Sequence, residues 1–227
     1  MTKELRGNIA IDGPAGAGKS TAARLLAQKI DYLYIDTGAM YRALTWLALC
    51  RGIDLNDADK LCALAESTDI SLACRENGDI SVYCCGEDIT AAIRQAEVSR
   101  NVSIVARVSR VRKQMLQKQR QMAATDQVVM DGRDIGTYVL PDAPFKFFLT
   151  ASLEERARRR YEELTAAGED VTLETVKEEI FQRDKEDSQR EIAPLKPAPD
   201  ATIIDTSDMN INEVVTMLLN LIKERIR

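Results

Sequence analysis

An α/β fold around a parallel sheet is the class this sequence predicts, on three observations. Five short apolar runs alternate with helical stretches, four of those runs end on aspartate, and a glycine-rich loop joins the first run to the first helix. The 227 residues are 45% hydrophobic, enough to bury a full core as one large domain or as one domain carrying an insertion. Ligands of such sheets bind at the carboxyl ends of the strands, so the strand ends are where functional residues are sought.

The first strand, Ile9-Ala10-Ile11 closed by Asp12, leads into Gly13, Pro14, Ala15, Gly16, Ala17, Gly18, Lys19, Ser20 and Thr21, and Ala22–Lys29 then reads as a helix. Strand, glycine-rich loop and helix in that order form a phosphate-binding loop. The glycines let successive backbone N–H groups turn inward around a phosphate without a Cβ clash, and the helix adds its positive dipole end. Lys19 then reaches the β- and γ-phosphates. Ser20 places a hydroxyl where a phosphate-bound Mg²⁺ takes a hard oxygen ligand, and Thr21 continues the first helical turn. A nucleoside triphosphate is the expected ligand.

The second strand, Tyr32–Asp36, precedes a helix over Ala39–Cys50. At the junction Thr37 offers a hydroxyl, either to a ligand or as a helix N-cap, and Arg42 lies one turn into the helix, where a guanidinium pairs bidentately with a phosphate. From about Asp54 to Met122 the rhythm breaks. Ile70–Cys74 and Ile80–Cys84 around a turn at Glu76-Asn77-Gly78-Asp79 read as a β-hairpin, and Ala96–Gln121 reads as helical. An inserted subdomain is expected there, its Arg100, Arg107, Arg110 and Arg112 either facing an anionic ligand or forming a solvated face.

The third strand, Val128–Asp131, runs into Gly132-Arg133-Asp134-Ile135-Gly136-Thr137, three charged side chains beside two glycines at a strand end. Asp131 stands where a carboxylate linked to Mg²⁺ is often held, Arg133 suits a phosphate, and Asp134 can accept from an exocyclic amine; a structural Asp–Arg turn pair is the alternative. Phe145–Leu149 is the fourth strand. It precedes a helix over Leu153–Glu163 that bunches Arg156, Arg158, Arg159 and Arg160, and Thr165-Ala166-Ala167-Gly168-Glu169-Asp170 then interrupts two charged helices as the expected mobile tip. Arg183, Asp187 and Arg190 recur at i, i+4, i+7 spacing, two cations around one carboxylate, as a site or as an intrahelical salt-bridge row. The fifth strand, Ala201–Asp205, and a helix over Ile211–Arg225 complete the pattern.

Histidine is absent, and Cys50, Cys62, Cys74, Cys84 and Cys85 form no C-x-x-C pair, which removes the commonest zinc and general-base arrangements and leaves the cysteines as reduced thiols. A net charge of −5 argues against nonspecific nucleic-acid binding. No run approaches ~18 apolar residues, and Met1–Arg6 holds no run of signal-peptide length. A cytoplasmic monomer that binds small molecules, with neither nucleic acid nor membrane as partner, is expected.

Four segments in register carry a specific resemblance: Gly13–Thr21, Asp36–Arg42, Asp131–Thr137 and Arg190-Glu191-Ile192-Ala193-Pro194-Leu195. Their order and spacing, with the insertion between the second and third strands, resemble the bacterial cytidylate kinase family nearly end to end. The resemblance implies a three-layer P-loop NTPase fold with a five-stranded parallel sheet flanked by helices, plus an inserted α+β subdomain that binds the nucleoside monophosphate (NMP) and a short lid. It implies one domain over 1–227, with a core of 1–53 and 123–227, the insertion at 54–122 and the lid at 155–190.

The implied reaction is ATP plus CMP or dCMP giving ADP plus CDP or dCDP, with Mg²⁺. By the same resemblance Lys19, Arg133, Arg190 and Arg160 are catalytic, and residues 13–21 with Arg159 bind ATP. Thr37, Ser103, Arg112 and Asp134 fall where the family recognises the cytosine base and nearby groups, Arg42, Arg133 and Arg190 where it holds the acceptor phosphate, and Arg183 and Asp187 where it contacts the ribose. Ser20 holds Mg²⁺, with Asp131 acting indirectly. Thr37 stands where the family often has serine and keeps the hydroxyl. A carboxylate at Asp134 discriminates against uracil, whose O4 is an acceptor, and the Asn-Lys-x-Asp segment of a GTPase is absent from the sequence.

Overall fold

The computed structural model describes residues 5–75 and 79–226. A parallel sheet of strand order β2-β6-β1-β7-β8 forms its centre, from β1 (Ile9–Asp12), β2 (Leu33–Asp36), β6 (Val128–Gly132), β7 (Phe145–Thr150) and β8 (Thr202–Asp205). Alternation sends successive side chains to opposite faces. Ile9 and Ile11 of β1, with Val129, Phe145, Phe147 and Leu149, pack beneath α1 (Lys19–Ile30) and α8 (Ile211–Ile226). Ala10, Ile35, Val128 and Met130 face the other way, against Ala123 of α5 (Ser109–Thr125) and a π turn at Ile135–Val139. With helices on both faces the fold is the expected three-layer α/β sandwich. Each fully buried Leu or Ile of these layers contributes about 1.5–3 kcal/mol.

A second core joins α2 (Thr37–Cys50) and α3 (Ala58–Ser67) to a small antiparallel sheet of β3 (Ile70–Cys74), β4 (Ile80–Cys84) and β5 (Glu87–Asp88), and to α4 (Ala96–Ala106) and α5. The hairpin pairing Ile70 with Cys84 and Cys74 with Ile80 is the one expected; its turn, over 76–78, lies outside the described residues. After β7, α6 (Leu153–Ala166) and α7 (Leu173–Ser188) form an antiparallel pair that buries Ala157, Val176 and Ile180. Gly168, the middle of the expected tip, has φ +83 with open space around it.

Several boundaries differ from expectation for local reasons. β2 begins at Leu33 because Asp31 turns left-handed (φ 57) and closes α1. α2 begins at Thr37, capped by the Asp36 carboxylate, which accepts from Ala39 N (2.8 Å); Thr37 is therefore not the cap. The helical stretch expected over Ala96–Gln121 is divided into two helices. Val108 is extended (ψ 111) and ends α4 by donating to Val105 O (3.2 Å), and its carbonyl accepts from Arg112 N (3.0 Å) to start α5. α7 stops at Ser188, so Arg190 lies past the helix and the expected intrahelical row over Arg183, Asp187 and Arg190 does not form.

Candidate active site

Parallel register brings three strand-end aspartates side by side, Asp12 opposite Gly132 and Asp36 opposite Asp131. Asp36 and Asp131 border a cleft of about 1620 Å³ that the donor loop lines on one side and Thr37, Arg42, Ser103 and Arg112 line on the other, while Asp12 lies buried behind it. The loop is shaped by close approach: at Gly13 (φ +148) a Cβ would sit 2.0 Å from Leu149 O. Gly18 (φ +79) precedes α1 without any side-chain cap, which leaves the first N–H groups of that helix for an anion.

Lys19 is buried, and its ammonium donates to Pro14 O (2.7 Å) across the loop. Burial, with Arg133 nearby, pushes the Lys19 ammonium well below the usual lysine range, so a bound polyphosphate would restore its charge. Ser20 Oγ donates to Asp131 Oδ2 (2.8 Å), and Tyr34, buried in the sheet, donates its hydroxyl to Asp131 Oδ1 (2.8 Å). Burial and Asp36 push the Asp131 carboxyl up. Two hard oxygen groups thus meet at the start of α1, the donor chemistry that suits Mg²⁺ held partly by water and phosphate.

Across the cleft, Asp187 is 1% exposed and sits between cations. It accepts from Arg133 Nε (2.8 Å) and from Arg190, the pair formed across the end of α7. Burial alone would raise the Asp187 carboxyl, but Arg133, Arg190 and Arg183 outweigh it and hold it below 3.8. Arg183 lines the same wall, and its buried Nε has no hydrogen-bond partner among the described residues. Arg42 pairs with Asp36 (2.9 Å), which holds its guanidinium at the cleft.

Asp134 pairs with Arg112 (2.6 Å), whose guanidinium also donates to Ala106 O (3.2 Å) and lies 5.7 Å from the centroid of the Tyr41 ring. Thr37 Oγ1 donates to Asp131 O (2.7 Å), and its lone pairs remain as acceptors. Ser103 lines the cleft from α4. Of the lid arginines, Arg159 pairs with Glu155 (2.7 Å) and donates to Thr206 O (2.6 Å), while Arg160 pairs with Glu163 (2.8 Å), both at the cleft edge.

Sequence reasoning missed three residues of this region. Asp12 accepts two backbone N–H groups, from Ile135 and Gly136 (2.8 Å each); its place in the row of strand-end aspartates was the available signal. Tyr34 orients Asp131, and its inward position on β2 carried no cue beyond alternation. Arg156, adjacent in sequence to the lid arginines, is buried and donates to Ala15 O (3.1 Å) while pairing with Asp184 (2.6 Å), tying the donor loop to α7.

Comparison with known proteins places the sequence in a family. A family profile described as cytidylate kinase matches residues 9–224. A protein of Bacillus licheniformis named cytidylate kinase is 54% identical over 217 residues, 96% of each chain. One of the same name from Bacillus subtilis is 52% identical over 227 residues, the whole of both. A solved structure, an uncharacterized protein of Eubacterium ventriosum, superposes over 96% of this chain and 99% of its own with a TM-score of 0.51 and 13% identity, a likeness of fold alone.

Proposed function

The chain belongs to the cytidylate kinase family, and on that premise we propose that it transfers the γ-phosphoryl group of ATP to CMP or dCMP. One observation carries the reading at the level of residues: an uncapped helix N-terminus with Lys19 and a cluster of arginines around Asp187 face one cleft. A triphosphate on the first and a monophosphate on the second would share that cleft, which is what distinguishes a transferase from a switch.

The residue roles follow from chemistry. Residues 13–21 cradle the donor phosphates through backbone N–H groups, Lys19 takes the β- and γ-oxygens, and Arg159 and Arg160 approach the donor from α6. Arg42, Arg133 and Arg190 neutralise the acceptor phosphate, while Arg183 and Asp187 hold the ribose. Thr37, Ser103, Arg112 and Asp134 read the base. Mg²⁺, when bound, neutralises charge on the β- and γ-phosphate oxygens, and Ser20, with Asp131 behind it, supplies the oxygen groups that fit it.

No general base is required, because the acceptor phosphate is already largely ionised near neutral pH; alignment and charge neutralisation do the work. We assign the core to 1–53 and 123–227, the monophosphate-binding insertion to 54–122 and the lid to 155–190. We also infer a cytoplasmic monomer that acts on nucleotides alone. A coupled assay of ADP formation with CMP, dCMP, UMP or AMP tests the function: CMP and dCMP should be turned over far faster than the others. Activity confined to AMP, or ATP hydrolysis indifferent to any monophosphate, would overturn it.

A further inference from the structure

Asp12 closes β1 and immediately precedes Gly13, so it belongs to the donor half of the cleft, yet its bonds go to the acceptor half. Its carboxylate is 3% exposed and accepts Ile135 N at Oδ1 and Gly136 N at Oδ2, 2.8 Å each. The π turn at 135–139 bonds its later N–H groups to Asp134 O and Ile135 O and leaves these first two without an acceptor of its own. Asp12 thus caps, from another strand, the turn that directly follows Arg133 and Asp134.

The wall behind the turn is also held. A Cβ on Gly136 would lie 3.4 Å from Asp12 Oδ2 and 3.2 Å from Lys146 Cδ, and Lys146 is fastened by its ammonium to Pro141 O and the Asp200 carboxylate. Burial pushes the Asp12 carboxyl up to about 7 in spite of its two N–H donors, an expense for which packing alone gives no reason.

We propose that Asp12 is a positioning residue for the acceptor: by tying the strand of the donor loop to the 135–136 turn, it sets Arg133 and Asp134 at the place the monophosphate must occupy for transfer. This rests on the cytidylate kinase reading. It makes a prediction that a merely structural carboxylate does not, a change in acceptor KM separated from donor KM.

Asp12→Asn preserves size but turns one acceptor oxygen into an NH₂ group facing a backbone N–H. Gly136→Ala serves as a control for the wall of the turn, since its methyl would press on Lys146 Cδ (3.2 Å) and meet Asp12 Oδ2 only in ordinary contact (3.4 Å). Steady-state kinetics with CMP and ATP varied in turn, with thermal melting of each variant, form the test. The expected result is KM for CMP raised roughly tenfold, the size of losing one hydrogen bond, with KM for ATP within about twofold of wild type. An equal rise in both constants, or lowered melting with KM for CMP unmoved, overturns the proposal. Where Asp12→Asn does not melt cooperatively, Asp12→Ser, which removes the carboxyl without adding bulk, is read in its place by the same KM split. Should the wild type use a different monophosphate, the family reading fails and the same split, read on that acceptor, judges Asp12 separately.

Discussion

Replacing Asp187 by asparagine keeps its volume and removes its charge, which isolates the counter-ion in the arginine cluster. The carboxylate is 1% exposed and is the acceptor for Arg133 Nε (2.8 Å) and Arg190, whose side chains are 17% and 9% exposed, and Arg183 Nε is buried without a partner. Taking one partner from a buried pair costs about 3–5 kcal/mol, and the asparagine oxygen can keep one of the two hydrogen bonds, so the lower end, about 3 kcal/mol, applies. For a chain of this size that is a fall in Tm of about 6–12 °C.

Melting in phosphate-free buffer measures that fall. Inorganic phosphate should then return more stability to Asp187→Asn than to wild type, because the anion finds three guanidiniums with no carboxylate among them. The pH dependence has a fixed sign. Asp187 is held below 3.8, so its contribution is complete above that value and the gap between wild type and variant closes as pH falls beneath it. A fall in Tm under about 2 °C, or equal stabilisation of both proteins by phosphate, would refute the counter-ion role.

Asp134→Ala should lower kcat/KM for CMP and narrow the CMP/UMP preference by about 5–150-fold, from the 1–3 kcal/mol cost of facing two acceptors; competition kinetics showing an unchanged preference would remove Asp134 from base recognition. Because Asp12 is raised to about 7 from 3.8, its protonated form is favoured by folding. The stability it contributes is therefore present below about pH 4 and lost as pH rises toward 7, so urea unfolding should find wild type losing ground to Asp12→Asn over that interval, and a constant gap would contradict it. ATP and CMP together should slow amide exchange over Thr165–Asp170 if α6 and α7 close as a lid, and exchange identical with and without both nucleotides would count against closure.

The central sheet was legible because its strands are short, apolar and closed by polar residues, and the P-loop because its glycines, Lys19 and Ser20 stand between a strand and a helix. The insertion was legible as a hairpin and helices, but the break at Val108 was not: Arg107 and Val108 are neither glycine nor proline, and one extended residue, Val108, separates two helices that share a core. Arg190 illustrates a second limit, since i+7 spacing implied a helical row where the chain in fact leaves α7 and turns back to the same carboxylate. Asp12, Tyr34 and Arg156 escaped because each acts through a partner more than 90 positions away, a relation no local pattern encodes.

Direct transfer between two nucleotides held in one cleft is tested most plainly by the fate of a labelled γ-phosphate. With γ-labelled ATP, Mg²⁺ and CMP, the label should appear in the β-phosphate of CDP, and CMP-free controls should release little of it to water. Label accumulating as inorganic phosphate at the same rate with and without CMP would contradict a shared transfer site and leave the loop at Gly13–Thr21 as the machinery of a hydrolase.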